Sequence, residues 1–191
     1  MDERMDLRIR KTYLALHNAF IALLEEKRFE DITVGELCDR AMIRRTTFYK
    51  HFADKYEYFT FHVRELVATF QDRLAPDVSD GEVADYLLHM SREMVRFMKQ
   101  HEKLVQNIKN STVFPVLLSI LLDQISFDVA QVLCRANNLG MEKAKAEGIA
   151  AFYAGGLTNA LFQYLKRDEP VNEEQFIGII SEFIAKRENS I

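Results

Sequence analysis

Cysteine, proline, glycine and long apolar runs are all scarce in this 191-residue chain, and tryptophan is absent. The two cysteines, Cys38 and Cys134, have no neighbours at metal-ligand or redox-motif spacing. Two thiols cannot build a disulfide framework, so a reducing, cytoplasmic compartment is expected. Three prolines and seven glycines among 48% hydrophobic and 28% charged residues describe a folded, helix-rich, soluble protein rather than a disordered one. The longest apolar run, Val116 to Leu122, is interrupted by Ser119 and falls short of a bilayer, and the start MDERMDLRIRK has no signal core. No membrane role is expected.

Catalytic signatures are missing as well. There is no Gly-rich phosphate loop, no HExxH, no nucleophile elbow and no carboxylate pair in an acid/base arrangement. The chain is therefore expected not to be an enzyme. His62, His89 and His101 have no further ligand at a chelating spacing beyond a chance pair such as His62 with Glu65, so neither metal nor cofactor is expected.

Charge is distributed unevenly. Residues 8–55 hold ten Lys and Arg against seven Asp and Glu, a net +3, while the other 143 residues hold 15 basic against 22 acidic groups, a net −7. A mildly basic end on an acidic body suits a protein that meets phosphate at one end.

What the chain does have is helical periodicity and cap signals. Leu7, Leu14, Phe20, Ile21 and Leu24 predict an amphipathic helix over about 7–26. Thr33-x-x-Glu36 is a capping box opening a short helix from Val34 to about Arg40, and a third follows over about 44–50. Asp54 is placed to cap a long helix to about Leu74, ended by Ala75-Pro-Asp-Val-Ser79. Ser79-x-x-Glu82 opens a helix to about Gln100, and His101 to Asn110 reads as a shorter one. Pro115 lies in the first turn of a long apolar helix closed by Asn137-Asn-Leu-Gly140. Two further helices, about 142–166 and 172–187, are separated by Lys166-Arg-Asp-Glu-Pro170, the last opening on Asn172-x-x-Gln175. No strand pattern, repeat or low-complexity tract is present, and the fold class is all-α.

Two short helices joined by a tight turn allow the second to enter a DNA major groove while the first braces it. Val34, Leu37, Cys38, Ile43, Phe48 and Phe52 are spaced to face inward. Arg44, Arg45, Thr46, Thr47, Lys50 and His51 are then left outward, a basic and hydroxyl-bearing face of the kind that base edges and phosphates require.

The stretch from Thr33 to Lys55 resembles the head of the TetR family, with Thr33, Val34, Leu37, Cys38, Ala41, Ile43, Thr47, Phe48, Tyr49, His51, Phe52 and Lys55 in register. The resemblance covers about 50 residues. It implies a helix-turn-helix head over 1–55 and a helical ligand-binding and dimerisation domain over 56–191. It also implies phosphate contacts from Thr33, Tyr49 and Lys55, with Arg44, Arg45, Thr47, Lys50 and His51 on the recognition face. Bidentate geometry makes Arg44 or Arg45 the expected reader of guanine. One position departs from the usual helix-turn-helix pattern, because Met42 stands where the turn commonly has Gly. A non-Gly residue in a left-handed conformation costs about 1 kcal/mol.

In function the resemblance implies a homodimer, formed through the last two helices, on a palindromic operator. It would act as a repressor modulated by a small-molecule effector, or as an activator or co-regulator controlled by a partner protein. Phe61, His62, Phe97, His101, Phe127 and Phe152 are the candidate pocket residues. Phe152-Tyr-Ala-Gly-Gly-Leu157 through Tyr164 resembles the penultimate helix of a C-terminal domain common in Firmicutes members, without that type's Trp near Tyr164. Gly155 and Gly156 cost about 1 kcal/mol each in a helix, which close helix approach at a dimer interface would explain.

Overall fold

The computed structural model describes residues 7–74, 83–136, 142–166 and 172–188, and all regular structure among them is helical. In chain order the helices are α1 (Leu7–Glu26), α2 (Val34–Arg40), α3 (Arg45–Tyr49), α4 (Lys55–Leu74), α5 (Val83–Gln100), α6 (Glu102–Lys109), α7 (Phe114–Ala136), α8 (Lys143–Lys166) and α9 (Glu173–Glu188). A 3-10 turn over Phe29–Asp31, absent from the sequence reading, links α1 to α2. The predicted break at Ala75–Ser79, the Ser79/Glu82 cap, the Asn137–Gly140 stop and residues 167–170 of the last connection lie outside the described residues.

Two compact units emerge, one combining Met1–Arg64 with His101–Leu117 and the other Glu65–Gln100 with Leu118–Ile191. This differs from the expected division at residue 55 in two ways. The change falls at Arg64, inside α4, and the α6 segment belongs with the head. The reason is physical: α6 packs along α1, where Asn107 donates to the Leu24 carbonyl and His101 pairs with Glu25.

The first unit is held by an aromatic core. Phe20 of α1 lies edge-on to Phe29, Tyr58, Phe59 and His62, and Phe48 and Phe52 extend the cluster through Tyr58. Edge-to-face aromatic pairs each add about 0.5–1.5 kcal/mol beyond the area they bury. Leu37 and Cys38 of α2 and Phe48 of α3 are fully buried beneath this cluster, so the two short helices are fixed to α1 and α4 by packing rather than by their own length.

In the second unit α5 packs on α9, and Lys99 pairs with Glu173 at 2.9 Å. Ala146, Ala150 and Ala154 form the buried stripe of α8 together with Leu157 and Leu161. Tyr164 closes α8 onto α9, donating to the Asn172 carbonyl, accepting from its N–H and packing on Phe176. Asn172 Oδ1 caps α9 through Gln175 N. A Cβ added at Gly155 or Gly156 would meet nothing within 4 Å, so close approach within this chain does not account for these glycines.

The average hydropathy of α7 is higher than its unbroken apolar runs suggest. Phe114–Cys134 is long and apolar enough to cross a membrane by length and composition, with mean hydropathy 1.6. Counting uninterrupted apolar runs missed this because Ser119, Asp123 and Gln124 break the run without lowering the average far. The helix carries Asp123 and Asp128, and Asp128 accepts from the buried Tyr86 at 2.7 Å and from Gln124 at 3.1 Å.

Candidate nucleic-acid interface

The site is assembled from α2 and α3, and its precision begins with caps. Thr33 Oγ1 accepts from Glu36 N at 3.1 Å while Glu36 Oε2 accepts from Thr33 N at 2.9 Å, the reciprocal box expected at the start of α2. Lys27, just past the end of α1, reaches Glu36 at 2.5 Å, and Arg40 reaches Glu26 at 2.6 Å. Bonds from Lys27 and then from Thr33 hold the Glu36 carboxyl at about 2. Glu36 therefore stays an anion, and a charged acceptor at a helix N-terminus is favoured by the helix dipole.

The turn between the helices closes in a Schellman arrangement. Ile43 N donates to Cys38 O at 3.0 Å and Met42 N to Asp39 O at 3.2 Å, with Met42 at φ 54°. The absence of Gly therefore does not alter the turn. Met42 adopts the left-handed conformation itself, with its side chain 92% exposed.

Beyond the turn, Arg44, Arg45, Thr46, Tyr49 and Lys50 are exposed, with Thr47 and His51 half-buried. Among the described residues Arg44, Arg45 and Lys50 make no ion pair with an acid, so their charge is not neutralised from within the head. Gly35 lies under the Arg45 guanidinium, where an added Cβ would come within 3.0 Å of Cζ. His51 is partly engaged, since Tyr13 of α1 lies edge-on to its ring at 5.4 Å with the hydroxyl 3.4 Å from Nδ1.

Lys55 is placed differently from the expectation of a phosphate contact. Its ammonium donates to the carbonyls of Phe29 at 3.0 Å, Glu30 at 2.8 Å and Ile32 at 2.8 Å, and stands 4.8 Å above the Phe29 ring. An ammonium has three donors, and all three are used. Lys55 therefore fastens the start of α4 to the turn before α2. Asp54, as expected, caps α4 by accepting from Tyr56 N and Glu57 N.

The six candidate pocket residues divide between the two units. Phe61 packs between Tyr13 and Phe52 in the head, and His62 is buried there against His17, Phe20 and Tyr58. His101 precedes α6 and pairs with Glu25 at 3.0 Å, in the first unit. Phe97, Phe127 and Phe152 belong to the second unit, and of these Phe127 and Phe152 are more than half exposed. Residue type selected aromatics without their depth, which depends on the packing of distant helices. The sequence reading passed over the buried polar groups of the second unit: Tyr86 with Asp128, and Thr158, whose hydroxyl is buried without a hydrogen-bond partner. Polar residues at otherwise apolar helix positions were the available signal.

No family model matches the chain. The curated relative YxbF of Bacillus subtilis (strain 168), an uncharacterized HTH-type transcriptional regulator, is 33% identical over 82 residues, which is 42% of this chain and 22% of that protein's length. Among solved structures, a TetR transcriptional regulator from Streptococcus agalactiae 2603V has a TM-score of 0.59 at 21% identity, covering 93% of this chain and 95% of that one. The transcriptional regulator FadR from Bacillus subtilis, solved with stearoyl-CoA, has a TM-score of 0.62 at 12% identity, covering 90% of this chain and 97% of its own. With the head pattern in register and the helices superposing over nine-tenths of its length, the chain has the fold of the TetR-family transcriptional regulators.

Proposed function

We propose that the chain is a DNA-binding transcription regulator of the TetR type, a cytoplasmic repressor acting as a homodimer on a palindromic operator. The observation that carries this reading is the exposed face of α3. Arg45, Thr46 and Tyr49 project from a five-residue helix flanked by exposed Arg44 and Lys50, and its opposite side, Phe48, is fully buried. A helix this short has no stability of its own, and its rigid mounting serves presentation of that face. Tyr49 and Lys50 are assigned to phosphates, Arg44 and Arg45 to base edges, and Thr47 and His51 to the groove wall, while Thr33, whose N–H and hydroxyl both donate to Glu36, serves as the cap of α2. Lys55 is reassigned to positioning.

Two recognition helices about 34 to 36 Å apart in a dimer would meet successive major grooves. Exposed Phe152 of α8 and Ile179 of α9, with open space over Gly155 and Gly156, support pairing through the last two helices. The fold holds stearoyl-CoA in FadR, which supports a small-molecule effector here. We place its polar contacts at Thr158 and the Tyr86–Asp128 pair of the second unit, rather than at Phe61, His62 or His101. A buried hydroxyl without a partner is a group that a bound molecule would satisfy.

The test is selection of a duplex from a random-sequence library by the wild-type protein, followed by affinity measurements across salt concentrations. Arg44→Ala or Arg45→Ala should weaken the selected duplex about ten- to hundred-fold and relax its preference at one position of each half-site. Failure to select a palindrome, or equal binding by wild type and both variants, would sink the proposal.

A further inference from the structure

The 3-10 turn Phe29–Asp31 stands immediately before Thr33, the residue that caps α2, and it is gripped from two directions. From α4, the Lys55 ammonium takes the carbonyls of Phe29, Glu30 and Ile32. From the loop between α6 and α7, Thr112 donates both its backbone N–H and its hydroxyl to Glu30 Oε1, at 2.5 and 2.7 Å. We propose that Glu30 is a positioning residue for DNA binding, through which residues 101–117 set the placement of α2 and α3.

Three features of the contact support the assignment. Glu30 is more than a surface tether, because its second oxygen, Oε2, is buried without a hydrogen-bond partner. Burial pushes the carboxyl up, and the Thr112 N–H and hydroxyl more than offset this, so the group sits below its ordinary value. With one oxygen buried and the other held by Thr112, the carboxylate loses its hydrogen bonds if Thr112 moves away, so its docking depends on that residue. The contact is also reinforced along α6, where His101 at its start pairs with Glu25 and Asn107 within it donates to Leu24 O. All three attachment points on the head fall within residues 24–30, just ahead of the Thr33 cap. Finally, residues 101–117 are flanked in the chain on both sides by segments of the second unit, Glu65–Gln100 and Leu118–Ile191. A displacement in that unit therefore reaches Glu30 through covalent connections at each end. This provides a route into α2 and α3 separate from the tilt of α4, and it rests on the reading of α3 as a DNA-binding helix.

The experiment compares wild type, Thr112→Val, Glu30→Ala, Glu30→Gln, the Glu30→Ala/Thr112→Val double variant and a Ser111→Ala control. Ser111 bonds locally to Ile108 O and does not touch Glu30. The first measurement is amide hydrogen exchange over residues 33–50, and the second is affinity for the library-selected duplex across salt concentrations. Thr112→Val and Glu30→Ala should each speed exchange in 33–50 and weaken the duplex about ten-fold, with an unchanged salt slope because no phosphate contact is removed. Glu30→Gln, which keeps the accepting oxygen, should restore most of the affinity. The double variant should be no worse than Glu30→Ala alone, and Ser111→Ala should leave 33–50 untouched. Exchange in 33–50 that is the same in wild type, Thr112→Val and Glu30→Ala, or that rises equally in Ser111→Ala, overturns the proposal. If the wild type selects no duplex, the DNA-binding reading fails, and the exchange comparison still decides whether Glu30 couples the two segments.

Discussion

At the scale of single residues, His62 and Met42 hold the head under measurable tension. The His62 imidazole is buried against His17, Phe20 and Tyr58 with Nε2 unpartnered. Burial first, and then the neighbouring His17, push it down to about 3, and burial lowers His17 too. Unfolded, the imidazole binds a proton near its ordinary 6.5, whereas folded it stays neutral until about 3. The unfolded chain therefore binds more protons throughout that window, and stability falls as pH drops below 6.5. At pH 5 the loss from His62 is about 2 kcal/mol. Urea midpoints measured from pH 7 to pH 4.5 should decline, and more shallowly in His62→Phe, which keeps the ring packing without the titration. Parallel profiles in the two proteins would refute this account. Met42, at φ 54° and almost fully exposed, gains nothing from burial, so Met42→Gly should raise stability by about 0.5–1 kcal/mol in thermal melts. A lowered melting temperature would show that the left-handed turn is not strained.

Among elements, the decisive ones are the shortest. Neither α2, at seven residues, nor α3, at five, is long enough to persist in water, so caps and clamps supply their order. The Lys55 clamp separates two roles that sequence alone leaves merged. Lys55→Met should strand three carbonyls and cost about 1–3 kcal/mol of stability, while leaving the salt dependence of duplex binding unchanged. Lys50→Ala should do the reverse, with little change in stability and a salt slope smaller by about one. Equal effects of both variants on the slope would return Lys55 to the phosphate. The helix boundaries themselves were legible in the sequence. Thr33, Asp54 and Asn172 are found capping the helices their spacing predicts, because a cap depends only on neighbours three residues away.

For the whole molecule, the question is how apolar surface left by one chain is used. Phe152 and Ile179 are 58% and 56% exposed, on α8 and α9. Large exposed apolar residues on the last two helices favour association there. Sedimentation equilibrium should give a dimer for the wild type and a monomer for Phe152→Asp with Ile179→Asp, and the monomer should bind the selected palindrome at least about ten-fold more weakly because each half-site is then engaged alone. A double variant that remains dimeric would move the interface elsewhere. The division into units matters at this scale too. A head extending only to residue 55 would leave out His62 and the α6 contacts that its core is built on.

By itself the sequence determined the helices, their order and the head pattern from Thr33 to Lys55, since periodicity, caps and short-range spacing act within a few residues along the chain. It also pointed to the exposed Arg44, Arg45, Thr46 and Lys50 around α3, because two buried phenylalanines nearby leave one free side, whereas Thr47 and His51 are half-buried. Only tertiary structure decided that Lys55 closes on carbonyls 23 to 26 residues earlier, that Glu30 meets Thr112 across 82 residues, and that His62 lies within the head. Those placements arise from how α1, α4 and α6 pack together, and no local pattern encodes a contact between segments so far apart in the chain.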